Sequence, residues 1–224
     1  MIVAEQKDIG EILETLKGFK KVVMASCGTC VTVCLAGGEK EALGLKGLLL
    51  ADASRNKKKL AVSVVNCKRQ CDDEFLDDLD DELLAGDVIL SLGCGVGVQF
   101  LAEKYPDKLV MPGLNTSFYG AAKELGYLTE YCQGCGNCLL EKTGGVCPVA
   151  RCSKSIFNGP CGGSQSGKCE IDSEIDCAWQ LIYEKLKAFK RLDRLVDIFE
   201  PRDWRTSRDG GPRSIKREDL IVEE

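Results

Sequence analysis

The sequence predicts an α/β fold in which a four-stranded parallel sheet is followed by a small cysteine-rich region and a C-terminal helix. Two observations predict it. Short apolar runs alternate with amphipathic stretches over residues 1–128, and the composition then changes abruptly. Of the 14 cysteines, eight lie between residues 131 and 177, in a segment with many glycines and little apolar periodicity.

The first part of the chain supplies the strands and helices of the predicted sheet. Four apolar runs have the length of buried parallel strands. They are KKVVMAS (20–26), KLAVSVV (59–65), DVILSLG (87–93) and KLVMPG (108–113). Helices are predicted over 39–55, 73–84 and 96–105, where apolar residues recur at helical spacing. This alternation predicts a doubly wound, Rossmann-like domain over residues 1–128.

Residues 129–200 form the predicted cysteine-rich domain. Its cysteine- and glycine-rich part has too few periodic apolar residues to bury a core unaided, so we expect bound metal to hold it. An amphipathic helix is predicted over 174–199. The polar tail, 201–224, is expected to be either mobile or held on a partner.

Composition excludes several classes of function. The net charge is −5 and no basic stripe stands out, which argues against a nucleic-acid partner. No apolar run is long enough to span a membrane, and the N-terminal residues lack the features of a signal peptide. A cytoplasmic protein is expected. The chain has no histidine, the usual acid–base group at neutral pH, and no catalytic site of its own is predicted.

In a cytoplasmic protein, many cysteines indicate metal or redox chemistry rather than disulfides. The first set of candidate ligands is Cys132, Cys135, Cys138 and Cys147, and Pro148 follows the last of them. CxxCxxC with a later Cys-Pro is typical of ferredoxins that bind [4Fe–4S] clusters. Zinc sites more often use two CxxC pairs, frequently with histidine. The sequence therefore favours iron–sulfur at this set.

Four more cysteines make a second complete set of ligands. They are Cys152, Cys161, Cys169 and Cys177. Two [4Fe–4S] clusters are therefore predicted in this region. In ferredoxins with two clusters the Cys-Pro cysteine binds the other cluster, so Cys147 and Cys152 can exchange between the sets.

A third candidate site, the sheet-edge set, lies in the first domain. Cys27, Cys67 and Cys94 each follow a predicted strand, and the carboxyl ends of parallel strands meet at one edge of the sheet. Cys30 is the predicted fourth ligand. The site would hold either a third [4Fe–4S] cluster or zinc. Cys34 and Cys71 fall about one helical turn beyond Cys30 and Cys67, and we interpret both as ordinary buried cysteines, with a role as metal ligands as the alternative.

The cysteine-rich segment also resembles a known family. The motifs are EYCQGCGNCLLEKTGGVCPVARCSKSIFNGPCGGSQSGKCEI and DCAWQLIYEKLKAF, and the earlier SCGTCVTVCLAGGEKEA and LSLGCGVG fit the same family. They resemble the small, MetV-like iron–sulfur subunit of anaerobic methylenetetrahydrofolate reductases and its C-terminal domain. The resemblance is strongest over about residues 125 to 195, and the tail after residue 200 is not covered.

This resemblance implies a function and partners. The family pairs with a TIM-barrel subunit that carries FMN or FAD and reduces 5,10-methylenetetrahydrofolate to 5-methyltetrahydrofolate, in the reductive acetyl-CoA pathway. The small subunit would relay electrons to that flavin within a hetero-oligomer, and a further electron-donor subunit would feed it. The eight cysteines of the first and second sets carry over as cluster ligands. The alternative is a zinc-stapled structural or docking subunit of the same complex.

Overall fold

A computed structural model describes residues 1–217 and 219, with only the backbone of Asp78. The chain divides into two compact units, Met1–Thr129 and Glu130–Glu224. We refer to them as the first and second units and describe each by itself.

The first unit is built on a four-stranded parallel sheet, as the sequence predicts. Its strands are β2 (Lys21–Cys27), β3 (Ala61–Cys67), β4 (Val88–Ser91) and β5 (Val110–Pro112). Their order in the sheet is β3-β2-β4-β5, so the chain moves to one side of β2 and then to the other. Loops diverge at such a reversal and leave a crevice at the carboxyl ends of the strands. In this sheet the order reverses between β2 and β4.

Helices pack on both faces of this sheet because β2 is apolar on both faces. Val22 and Met24 belong to one core cluster with residues of α1 (Ile9–Thr15) and α3 (Glu39–Arg55). Val23 and Ala25 belong to a second cluster with Leu83 of α4 (Asp80–Leu84) and Leu101 of α5 (Gly95–Lys104). A fifth, short helix, α2 (Cys30–Val33), follows β2.

The predicted helix over 39–55 is confirmed as α3. It buries Ala42, Leu45, Leu49 and Ala53 on one face. The Glu41 carboxylate accepts a hydrogen bond from the backbone N–H of Gly38 at 3.1 Å, which satisfies a donor at the helix start. The helix predicted over 96–105 is likewise observed, as α5.

The prediction of one helix over 73–84 is wrong in part. Two 3₁₀ turns, Asp73–Phe75 and Asp77–Leu79, precede the short α4. Carboxylates repeat here at the spacing of a helical turn, where like charges repel. Lys104 of α5 instead binds Asp73 and Asp77, each at 2.6 Å. The stretch is therefore held by contacts to α5 and by Leu76 and Leu83, which are fully buried.

A second, antiparallel sheet was not predicted. It has the order β1-β6-β7, with β1 at Ile2–Gln6, β6 at Leu114–Glu124 and β7 at Tyr127–Cys132. β1 and β6 pair with Ile2 opposite Tyr119 and Gln6 opposite Leu114. β6 is mostly exposed and lacks the apolar run that marks a buried strand. The sequence pattern of β6 therefore does not identify it as a strand.

The second unit has little regular structure. It contains α6 (Pro148–Arg151), α7 (Ala178–Ala188) and short 3₁₀ turns at Leu192–Leu195, Trp204–Thr206 and Arg208–Gly210. Its small core consists of Val146, Ala178, Trp179, Ile182 and Leu186. In the part of the chain that the structure describes, no helix is long and apolar enough to cross a membrane.

The predicted helix over 174–199 is observed only as α7. Cys177 stands at its N-cap and its backbone N–H donates to Gly167 O at 2.8 Å, which ties the preceding residues to a loop. At the other end Lys190 has φ 55°, a left-handed conformation that stops a helix. Apolar residues recur at helical spacing beyond this point, but the helix does not continue.

Candidate metal centres

The four cysteines of the first set line one cavity. Its volume is about 210 Å³, and its lining includes Cys132, Cys135, Cys138, Cys147 and the side chain of Arg202. The CQGCGNC loop bends around it because Gly134 and Gly136 have φ of 61° and 81°, which glycine adopts without strain. The backbone N–H of Gly134 donates to Cys132 Sγ at 3.3 Å.

This donor set fits a cubane cluster. Such a cluster takes four thiolates, each on a different iron, so its ligands surround a volume rather than a point. Four cysteines on the wall of one cavity are compatible with that arrangement. Backbone N–H groups that point at sulfur, such as that of Gly134, are among the contacts that tune cluster potentials.

The second set is linked by contacts between neighbouring residues. Cys169 Sγ lies 3.5 Å from the hydroxyl of Ser153, the residue after Cys152. Cys161 Sγ lies 3.9 Å from the carboxylate of Glu170, the residue after Cys169. Cys177 follows Asp176, which forms an antiparallel bridge with Lys168. Cys152 and Cys177 both pack against the core of the second unit. All four cysteines thus lie on adjoining segments.

The surroundings of Cys169 favour its thiolate form. The hydrogen bond with the Ser153 hydroxyl, and then that from the backbone N–H of Ile171, hold the pKa of the Cys169 thiol below its usual value. The thiolate is the form that binds metals, so these donors favour binding at neutral pH.

Three cysteines of the sheet-edge set meet at the carboxyl edge of the parallel sheet. Cys27 and Cys67 are register partners at the ends of β2 and β3, and the N–H of Gly28 donates to Cys67 O at 2.9 Å. Cys94 is the N-cap of α5, just after β4. All three are buried. Burial, and then the neighbouring Cys27, raises the pKa of the Cys67 thiol to about 12. A bound cation would offset both effects.

A buried glutamine holds these loops together. Gln70 has no exposed surface, and its Nε2 donates to Ala25 O at 2.8 Å and to Ser26 O at 2.9 Å. Its Oε1 accepts from the Ser91 hydroxyl at 2.6 Å, and that hydroxyl accepts from Gly93 N. One side chain therefore joins the ends of β2 and β4 to the loop that carries Cys67 and Cys71.

The structure changes the interpretation of Cys71. Its side chain is exposed, so the prediction of a buried cysteine is wrong for this residue. The preceding Gln70 packs on the first turn of α5, where a Cβ at Gly97 would lie 2.9 Å from Gln70 Cβ. Partial loss of solvent around the thiol, and then the neighbouring thiols of Cys94 and Cys27, raises the pKa of Cys71. Cys71 therefore lies near two thiols of the sheet-edge set.

Cys30 and Cys34 lie at the two ends of the short helix α2. Cys30 is partly buried and begins α2. Cys34 packs against the first core cluster with Sγ 3.6 Å from Ile2 O, which agrees with its interpretation as a core cysteine. Among residues 1–217 and 219, no three Cys, Asp or Glu side chains lie close enough to hold one metal ion as they stand.

Sequence reasoning missed two residues of these sites, Gln70 and Arg202. A single glutamine between two cysteines carries no periodic signal. Arg202 lies in the PRDW segment of the tail, where an isolated tryptophan among polar residues could have indicated a packed segment.

A known protein family matches most of the second unit. Residues 111–205 match the family described as Methylene-tetrahydrofolate reductase C terminal. This part of the chain is thus similar to that C-terminal family. The match covers the first and second sets and Arg202, whereas the sheet-edge set lies outside it. Comparisons with curated proteins and with solved structures gave no match.

Proposed function

We propose that this chain is the electron-transfer subunit of a methylenetetrahydrofolate reductase complex. The observation that carries the proposal is the cavity of the first set, whose wall is shared by four thiols, inside the segment that matches the reductase family. The second set supports it, since its thiols lie on adjoining segments of the same unit. When bound, [4Fe–4S] clusters would supply one-electron transfer between an external donor and a flavin.

The roles of the residues follow from their positions. Cys132, Cys135, Cys138 and Cys147 would hold one cluster, and Cys152, Cys161, Cys169 and Cys177 the other. The partner is proposed to be a TIM-barrel subunit that binds FMN or FAD and reduces 5,10-methylenetetrahydrofolate. A further subunit would deliver the electrons. Reductase membership rests on the match over residues 111–205, and the electron-carrier role on the arrangement of the thiols.

The experiment that tests this function is a count of iron, zinc and acid-labile sulfide on the chain purified without oxygen. Electron paramagnetic resonance of the reduced sample accompanies it. We expect about 12 iron if all three sites hold clusters, or about 8 iron and one zinc if the sheet-edge site holds zinc, at ~4 iron per cluster. Zinc alone, without a signal on reduction, would favour a structural subunit and refute the electron carrier.

The sheet-edge site gives a separate prediction about its fourth ligand. Cys71 lies close to Cys94 and Cys27, so we expect Cys71→Ser to release the metal of this site. Cys30→Ser, on the neighbouring loop, is the matched variant and should keep it. Metal analysis would show a loss of one zinc, or of about four iron, in the first variant alone. The opposite result would restore Cys30 as the fourth ligand.

A further inference from the structure

The tail that follows residue 200 folds back onto the loop of the first set. Thr206 Oγ1 donates to Cys135 O at 2.9 Å, and Arg213 Nη1 donates to Gly134 O at 2.9 Å and to Thr206 O at 2.6 Å. The two segments touch closely, since a Cβ at Gly136 would lie 2.2 Å from Thr206 O. We call residues 200–213 the strap. It is part of the second unit and borders the cavity of the first set.

Arg202 is the residue of the strap that reaches this cavity. Its Nη2 donates to Cys135 O at 3.2 Å and also to Asn137 O, so two carbonyls of the CxxCxxC loop fix the guanidinium. The guanidinium carbon lies 5.7 Å from the ring centre of Phe157 and 5.2 Å from that of Trp204. These contacts hold the group in one place.

Two nitrogens of the same guanidinium are buried without an acceptor among the described residues. They are Arg202 Nε and Nη1, and neither donates a hydrogen bond there. A buried donor without an acceptor is costly, particularly on a charged group. The nearest acid in sequence, Asp203, is bound by Arg205, whose hydrogen bonds hold the pKa of that carboxyl at about 2. Asp197 and Glu200 line another cavity with Arg202, but within the described residues neither accepts a hydrogen bond from its Nε or Nη1.

The cavity of the first set offers acceptors of another kind, the sulfurs of its cysteines. All four cysteines line it together with Arg202. A cluster held by four thiolates is anionic and presents sulfur acceptors, and hydrogen bonds to those sulfurs help to set its potential. The Arg202 guanidinium is a fixed cation, and its two unpaired N–H groups can donate hydrogen bonds to such sulfurs.

We propose that Arg202 donates its Nε and Nη1 hydrogen bonds to sulfur atoms of the cluster bound by the first set and thereby raises its reduction potential. The proposal rests on the proposed function, because it requires a cluster at this set. Reduction adds negative charge, so a fixed positive charge and N–H donors stabilise the reduced form more than the oxidised form.

The test is a redox titration, followed by electron paramagnetic resonance, of anaerobically purified wild type, Arg202→Gln and Arg202→Lys. At a fixed solution potential we expect Arg202→Gln to lower the ratio of reduced to oxidised cluster at least tenfold. That change corresponds to about 59 mV for a one-electron couple. Arg202→Lys keeps the charge but loses the fork of donors, and we expect an intermediate shift. Iron content should equal that of the wild type.

Arg213→Gln is the matched control. Arg213 also bonds the strap to the CxxCxxC loop, but it does not line the cavity. Its variant should titrate like the wild type. An unchanged potential in Arg202→Gln, or an equal shift in Arg213→Gln, would overturn the proposal. So would loss of iron from both Arg202 variants, which would mark a structural clamp. A wild type without iron and sulfide would instead refute the proposed function.

Discussion

Cys135→Ser is expected to remove one cluster from the chain, a loss of about four iron and four sulfide. Cys135 is the middle cysteine of CxxCxxC, and its side chain lines the cavity with the other three ligands. A serine hydroxyl is a poor ligand for iron compared with cysteine, because a thiol loses its proton more readily than a hydroxyl and the resulting thiolate is softer. The backbone should persist, since Cys135 O still accepts from Arg202 and Thr206. The second set should keep its iron.

Cys34→Ser is the matched control for this measurement. Cys34 is also partly buried, but it packs against the core of the first unit and belongs to none of the three ligand sets. Its variant should contain the same iron and sulfide as the wild type. Equal iron in Cys135→Ser and the wild type would remove the first set from the list of cluster sites.

Gln70→Ala should cost about 3 to 5 kcal/mol of unfolding free energy of the first unit. The variant removes the Gln70 donor from Ala25 O, which keeps the N–H of Leu92, and from Ser26 O, and it removes the acceptor of the Ser91 hydroxyl. Each group is buried, so water does not replace the lost partner. The shortened side chain also leaves a cavity beside Gly93 and Gly97.

Hydrogen exchange at the amides of β2 and β4, combined with urea denaturation, measures this loss. Because Gln70 joins the loops of the sheet-edge site, metal content at that site should fall in parallel. Gln99→Ala is the control. Gln99 is on α5 and donates only within its own helix, to Gly95 O at 2.9 Å, so its variant should change stability by less than about 0.5 kcal/mol. Similar losses of unfolding free energy in both variants would show that Gln70 does not stabilise the loops at the carboxyl edge of the sheet.

Sequence patterns predicted the parallel sheet well because its strands are buried on both faces. Such strands are continuous apolar runs, as in KKVVMAS and DVILSLG, and they are visible without neighbours. The antiparallel sheet was missed because β6 is mostly exposed and is held by pairing with β1, more than 100 residues away in sequence. The helix after Cys177 was predicted too long because apolar spacing persists past Lys190, where the backbone turns.

The candidate metal sites also divide into features that the sequence predicted and features that it did not. Spacing predicted the first set, since CxxCxxC and the later Cys-Pro describe a loop that wraps one centre, and these cysteines do share one cavity. Strand ends predicted that Cys27, Cys67 and Cys94 meet. The exposure of Cys71 could not be read from spacing, because it depends on where Gln70 enters the interior.

By itself the sequence determined the features that depend on neighbouring residues: the lengths of the strands of the parallel sheet, the turn at CQGCGNC and the supply of thiols without histidine. Only the tertiary structure decided which distant groups meet. Gln70 bonds Ala25, 45 residues earlier, and Arg202 bonds Cys135, 67 residues earlier. Both contacts join polar groups, which follow no apolar period. They form because packing of the surrounding segments buries these groups, and each buried N–H and C=O then requires a partner.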